Sequence, residues 1–160
     1  RVIRMRPIHR TLIVFPLGLL GTSFFFDLAW LTWNRAPLAV TARWLILAGV
    51  TGGVVASIFG FLDWLRIPQG TRARRIGALH GSGNLIVATL FAASWFLRPD
   101  AAHPSALAIA VSAAGVILSV MTGWLGGELV SPSGAEENAL GPPTVAPRPA
   151  GGERVPRSGG

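Results

Sequence analysis

The sequence predicts an all-α integral membrane protein, an up-down-up-down four-helix bundle followed by an extended C-terminal tail. Three observations predict it. The 160 residues are 51% hydrophobic and only 13% charged, against about a quarter charged in ordinary soluble domains. The apolar residues gather in four segments of about 20 residues, the length that crosses about 30 Å of hydrocarbon at 1.5 Å rise per residue. The basic residues lie between those segments and are unevenly shared among the connections.

The first span covers 12–33, interrupted by Asp27 near its end, with Pro16 expected to kink it or loosen its hydrogen bonding. Its apolar run is too long for the h-region of a signal peptide, and no small-x-small cleavage site follows, so it is expected to be retained. The second covers 44–65 with Asp63 close to its end. The third covers 78–97 and opens on His80 and Asn84. The fourth covers 104–127 and holds no ionisable residue. All six Trp sit near segment ends, as an interfacial belt would place them. The connections 34–43, 66–76 and 98–103 are short, which forces antiparallel neighbours. Residues 1–130 thus form one membrane domain. Residues 131–160, with 6 Pro and 6 Gly, read as a tail without a core of its own.

All 14 basic residues are Arg, against 7 acidic ones, a net charge of +7. Arg1, Arg4, Arg6, Arg10, Arg66, Arg72, Arg74 and Arg75 fall on one side of the predicted topology, and Arg35, Arg43 and Arg98 on the other. The positive-inside rule then puts both termini in the cytoplasm of a bacterial inner membrane. The basic charge becomes an orientation signal that can also meet anionic lipid. Nucleic acid is not an expected partner, because the aromatics lie within the spans rather than on a soluble basic face. There is no Cys, which excludes disulfides, Cys-ligated metals and a Cys nucleophile. No hydrolase triad, phosphate-binding loop or dinucleotide fingerprint appears.

Small residues at fourfold spacing mark helix contact faces: Gly49, Gly53 and Ser57 on the second helix, and Gly115, Ser119, Gly123 and Gly127 on the fourth. A groove for a flat cofactor, pigment or lipid tail is the functional alternative. Ionisable residues within spans are functional suspects. At one level lie His9, Asp63, His80, Asn84 and Glu128. Two His with carboxylates suit a divalent metal, and two His on different helices suit a haem b. The structural alternative is polar glue, with Asp63 paired to Arg10 or Arg66 and His80 donating to Asp63 or a carbonyl. At the other end, Asp27 is expected to pair with Arg43 and Arg98. The mid-bundle holds no ionisable group, so a transport pathway is not expected.

Several of these residues occur together in a known pattern: Ile8-His9 ahead of Pro16, Asp27 late in the first helix, Gly60 before Asp63, His80 with Asn84, and the ending Gly126-Gly127-Glu128-Leu129-Val130. From about His9 to Val130 the chain resembles a bacterial family of small four-helix membrane proteins labelled domain of unknown function 2231. It differs from that pattern where Arg10, rather than Pro, follows the first His, and where Ser131 and Pro132, rather than Tyr, follow the Leu-Val. The resemblance implies the fold and topology and carries no activity. The expected function is a non-catalytic accessory subunit of a larger membrane complex, photosynthetic or respiratory, among other integral membrane subunits. The alternative is a small haem- or metal-binding protein using His9 and His80.

Overall fold

The computed structural model describes residues 8–128, with their side chains from 12 to 127. Four helices follow one another: α1 Ile8–Trp33, α2 Ala36–Leu65, α3 Arg72–Phe96 and α4 Ala106–Glu128. All four are long and apolar enough to cross a membrane. The expected tail at 131–160 lies outside the described residues.

Three helix starts differ from the hydropathy boundaries, and local chemistry explains each. The connection expected over 34–43 shrinks to Asn34 and Arg35. Asn34 takes a positive φ of 48°, and its N–H returns to the Trp30 carbonyl at 2.7 Å. Asn tolerates this left-handed C-cap better than most residues. Pro37 then occupies the first turn of α2, where its missing N–H costs nothing. Ala39 and Ala42, assigned to a loop by their polar surroundings, are fully buried.

α3 starts six residues before 78. Gly70 turns the chain at φ 79°, and the Thr71 hydroxyl caps the helix by accepting from Arg74 N at 3.2 Å. Its first turn is basic, which runs against the helix dipole. The cap and a second tie offset this. Trp64 Nε1 donates to the Arg74 carbonyl at 3.0 Å, and the Arg74 guanidinium covers the Trp64 ring at 4.2 Å while donating to the Ile67 carbonyl at 2.7 Å. α4 starts at Ala106, two residues after 104, because the Ser105 hydroxyl caps Ala108 N at 3.1 Å.

α1 packs chiefly on α2, and α3 on α4, giving two close hairpins. The α2–α3 and α1–α4 seams are thinner. The large core residues are few: Leu20, Ile46, Val87 and Phe91. Elsewhere the helices meet through small residues. On α3 the inward positions are His80, Asn84, Val87, Phe91 and Ser94, continued by Arg98 just beyond its end; on α4 they are Ala108, Ser112, Gly115, Ser119, Thr122 and Gly126. Both series alternate steps of three and four, the 3.5-residue period of coiled-coil packing.

That period corrects the predicted stripe on α4. A strict four-residue step advances about 40° around the helix each time, so Gly123 and Gly127 drift off the seam. A Cβ at either would meet nothing within 4 Å. Gly115 stays on it, 2.8 Å (as an ideal Cβ) from Phe91 Cε2, and Gly126 takes the place expected of Gly127, 2.7 Å from His80 Cε1. Ser119 sits on the seam but donates to its own helix, to the Val116 carbonyl at 2.7 Å. On α2, Gly49 closes on Leu20 at 2.7 Å and Gly53 reaches Pro16 at 4.0 Å. Ser57 is exposed and donates to the Val54 carbonyl.

Trp33, Trp44 and Trp124 are well exposed. Trp64 and Trp95 instead lie under arginines.

Candidate functional site

The polar side chains of the interior form two separate groups, one near each end of the bundle. At the Asp27 end, an Asp inside an apolar helix must find a cation or lose its charge. Arg98, two residues beyond α3, supplies it. Its Nη1 and Nη2 donate to Asp27 Oδ1 and Oδ2 at 2.8 and 2.6 Å, and both side chains are fully buried. This forked geometry is the strong form of an Arg–carboxylate pair. Arg98 Nη2 also reaches Ser94 Oγ at 3.4 Å. Ser94 donates to the Ala108 carbonyl at 2.7 Å, which leaves Ser112 as the donor across the 2.7 Å Ser94–Ser112 contact. The group thus ties α1, α3 and α4 together.

Arg43 is not a partner of Asp27, contrary to expectation. Its guanidinium lies 4.7 Å over the Trp95 ring and donates to the Arg98 carbonyl at 3.5 Å. A cation on an indole face keeps most of its attraction without the desolvation of a second buried charge. Trp30 Nε1 and Arg98 Nε are buried without a hydrogen-bond partner. In the adjoining loop, the exposed Asp100 accepts from the backbone N–H of His103 and Ala102 at 2.7 and 2.6 Å. The His103 N–H is the main reason its carboxyl is held below the ordinary 3.8.

At the other end, His80 and Asn84 share a face of α3 and meet Thr122 of α4. His80 Nδ1 lies 2.7 Å from the Thr122 carbonyl, which can only accept, so Nδ1 carries the proton. Nε2 then accepts from Asn84 Nδ2 at 2.9 Å, and Asn84 Oδ1 accepts from the Thr122 hydroxyl at 3.2 Å. The three residues close a ring, and both imidazole nitrogens are occupied. Asp63 stands apart from it, paired with Arg66 at 3.0 Å on the same helix and partly exposed. The side chains of His9 and Glu128 lie outside the described residues. Among the described residues, no three His, Asp or Glu come together as a metal-ligand group.

A family model described as a predicted membrane protein, DUF2231, matches residues 5–138. The chain belongs to this family. No curated protein and no solved structure matches it.

Between α2 and α3 this DUF2231 protein also carries a groove of about 560 Å³. Phe61, Trp64, Ile67 and Leu85 line it, with glycines between them and with Asp63 and His80 among the few polar groups. Sequence reasoning raised a groove along the small-residue stripes without placing it between α2 and α3, and it missed Thr122, Ser94 and Ser112. Hydroxyls inside apolar helices carry no hydropathy signal. The signal available was phase: Ser112, Ser119 and Thr122 fall on the three-four series that contains Gly115.

Proposed function

We propose that this DUF2231 protein is a non-catalytic accessory subunit of a larger complex in the bacterial inner membrane, with both termini cytoplasmic. One observation carries the reading: Asp27 and His80, the described interior carboxylate and imidazole, are each committed to neighbouring groups. Asp27 is held by Arg98, and His80 by Asn84 and Thr122. Buried polar groups satisfied in this way rigidify a bundle and set its register. The outward faces are large and apolar, with Phe15, Phe25, Phe96 and Trp124 about 70% exposed or more, a surface suited to lipid and to neighbouring helices. The orientation rests on eight Arg, four at or before the first turn of α1 and four from the end of α2 through the first turn of α3.

The test is mild solubilisation of native membranes followed by native mass analysis of the tagged chain. The expected result is a particle well above the 16.8 kDa of the chain, with other subunits in fixed proportion. A lone monomer overturns the reading. So does a stoichiometric haem or metal in the purified chain, which an absorbance spectrum and metal analysis would reveal. Reporter fusions at the two termini check the sidedness independently.

A further inference from the structure

We propose that the groove between α2 and α3 is a binding site for one anionic phospholipid, its headgroup on the basic α2–α3 connection and the upper part of an acyl chain between the helices. The inference does not depend on the subunit reading.

The groove opens where a tight contact between α2 and α3 gives way to unfilled space. Trp64, fixed by its bond to the Arg74 carbonyl and by the guanidinium on its face, wedges against Gly77, where an added Cβ would come within 2.8 Å of Trp64 Cδ1. Beyond this wedge, Gly60 and Gly81 leave the space unfilled, and a Cβ at Gly81 would meet nothing within 4 Å. From Trp64 to Ser57 the wall runs about 10 Å along α2. The volume of about 560 Å³ lies within the usual range of small-ligand sites, about 300–1,000 Å³.

Two observations choose the occupant. The walls are overwhelmingly apolar and belong to helices that cross a bilayer, so the medium that meets them is lipid. The mouth carries Arg66 of the connection and Arg72, Arg74 and Arg75 of the first turn of α3. Asp63, the acidic residue of the groove wall, is already offset by Arg66. Arg66, Arg72 and Arg75 are exposed there, and Arg74 is held on Trp64. An apolar slot beneath a cationic rim fits a chain with a phosphate at its head. It does not fit a neutral or zwitterionic lipid equally well. Basic residues beside a membrane surface favour anionic headgroups by about fivefold each.

The experiment is native mass spectrometry of the full chain in detergent, titrated with phosphatidylglycerol or with phosphatidylcholine of the same acyl chains. The expected result is a single tightly held phosphatidylglycerol, preferred over phosphatidylcholine. The R75Q variant should weaken that preference by about fivefold. The G81L variant fills the groove from a position with open space and should lose both lipids while keeping its helical circular dichroism. Equal retention of the two lipids overturns the proposal, as does wild-type lipid binding in G81L. A dimer abolished by G81L would assign the groove to a second copy of the chain and overturn it too. Free inorganic phosphate should not compete at millimolar concentration; if it does, the acyl chain is not part of the site.

Discussion

Arg98 clasps Asp27 through two parallel hydrogen bonds across the diagonal of the bundle, joining α1 to the end of α3, two helices that otherwise barely touch. The pair is fully buried, so its two charges stand or fall together. Removing one partner, as in Asp27→Leu or Arg98→Leu, leaves an uncompensated charge and should cost about 3–5 kcal/mol. The double variant should be more stable than either single one. Denaturant-induced unfolding in micelles measures all three. A double variant as unstable as the sum of the singles would show that the two residues do not act as a pair.

The His80 ring predicts a tautomer. Nitrogen NMR should find the proton on Nδ1 and a bare, hydrogen-bonded Nε2. Asn84→Leu removes the donor to Nε2 and should cost about 1–2 kcal/mol, while the Thr122 hydroxyl keeps the Ser119 carbonyl as an acceptor at 3.1 Å. Thr122→Val keeps the backbone carbonyl that accepts from His80 and should cost less than Asn84→Leu. A proton found on Nε2 would reverse the direction of the whole ring.

The three-four register separates glycines that look alike in the sequence. Gly115→Val and Gly126→Val push a side chain into Phe91 and His80 and should each cost about 1–3 kcal/mol. Gly123→Ala faces open space and should be neutral or stabilise by up to about 1 kcal/mol, because Ala favours the helix. If Gly123→Ala destabilises as much as Gly126→Val, the seam follows the fourfold stripe instead.

The Asp100 loop has a pH signature. Backbone N–H groups stabilise its carboxylate, so its folded pKa lies below 3.8. The stabilisation is therefore present above that ordinary value and is lost as pH falls through the folded one. Carboxyl NMR should show Asp100 titrating below 3.8, and Asp100→Asn should abolish the acid-induced change in the amide signals of Ala102 and His103. An Asp100 titration at or above 3.8 would mean the loop is open.

The spans and the Asp27–Arg98 pair were legible in the sequence for physical reasons. Hydrocarbon tolerates few charges, so four apolar runs announce four helices, and an Asp among them demands an Arg. Which Arg was not legible. Arg43 and Arg98 lie at the same level, and only the position of the Trp95 ring sends Arg43 elsewhere. Helix starts were legible only in part. Hydropathy measures transfer to lipid, whereas caps such as Asn34, Thr71 and Ser105 act through single hydrogen bonds that it does not register. His80 and Asn84 were legible as a pair by their spacing. Their partner Thr122 sits 38 residues beyond Asn84 and needed the register of two helices at once.

The uneven seams give the molecule a line of compliance. Each hairpin is stitched along its length, and the two hairpins are fastened to each other at both ends, by the buried Asp27–Arg98 clasp at one and by the α2–α3 connection with its Trp64–Arg74 bond at the other. Between these fastenings runs the thinner α2–α3 seam, where Gly81 faces open space. Relative movement of the hairpins is therefore concentrated along that seam, and a change in lateral tension or bilayer thickness would be felt there first.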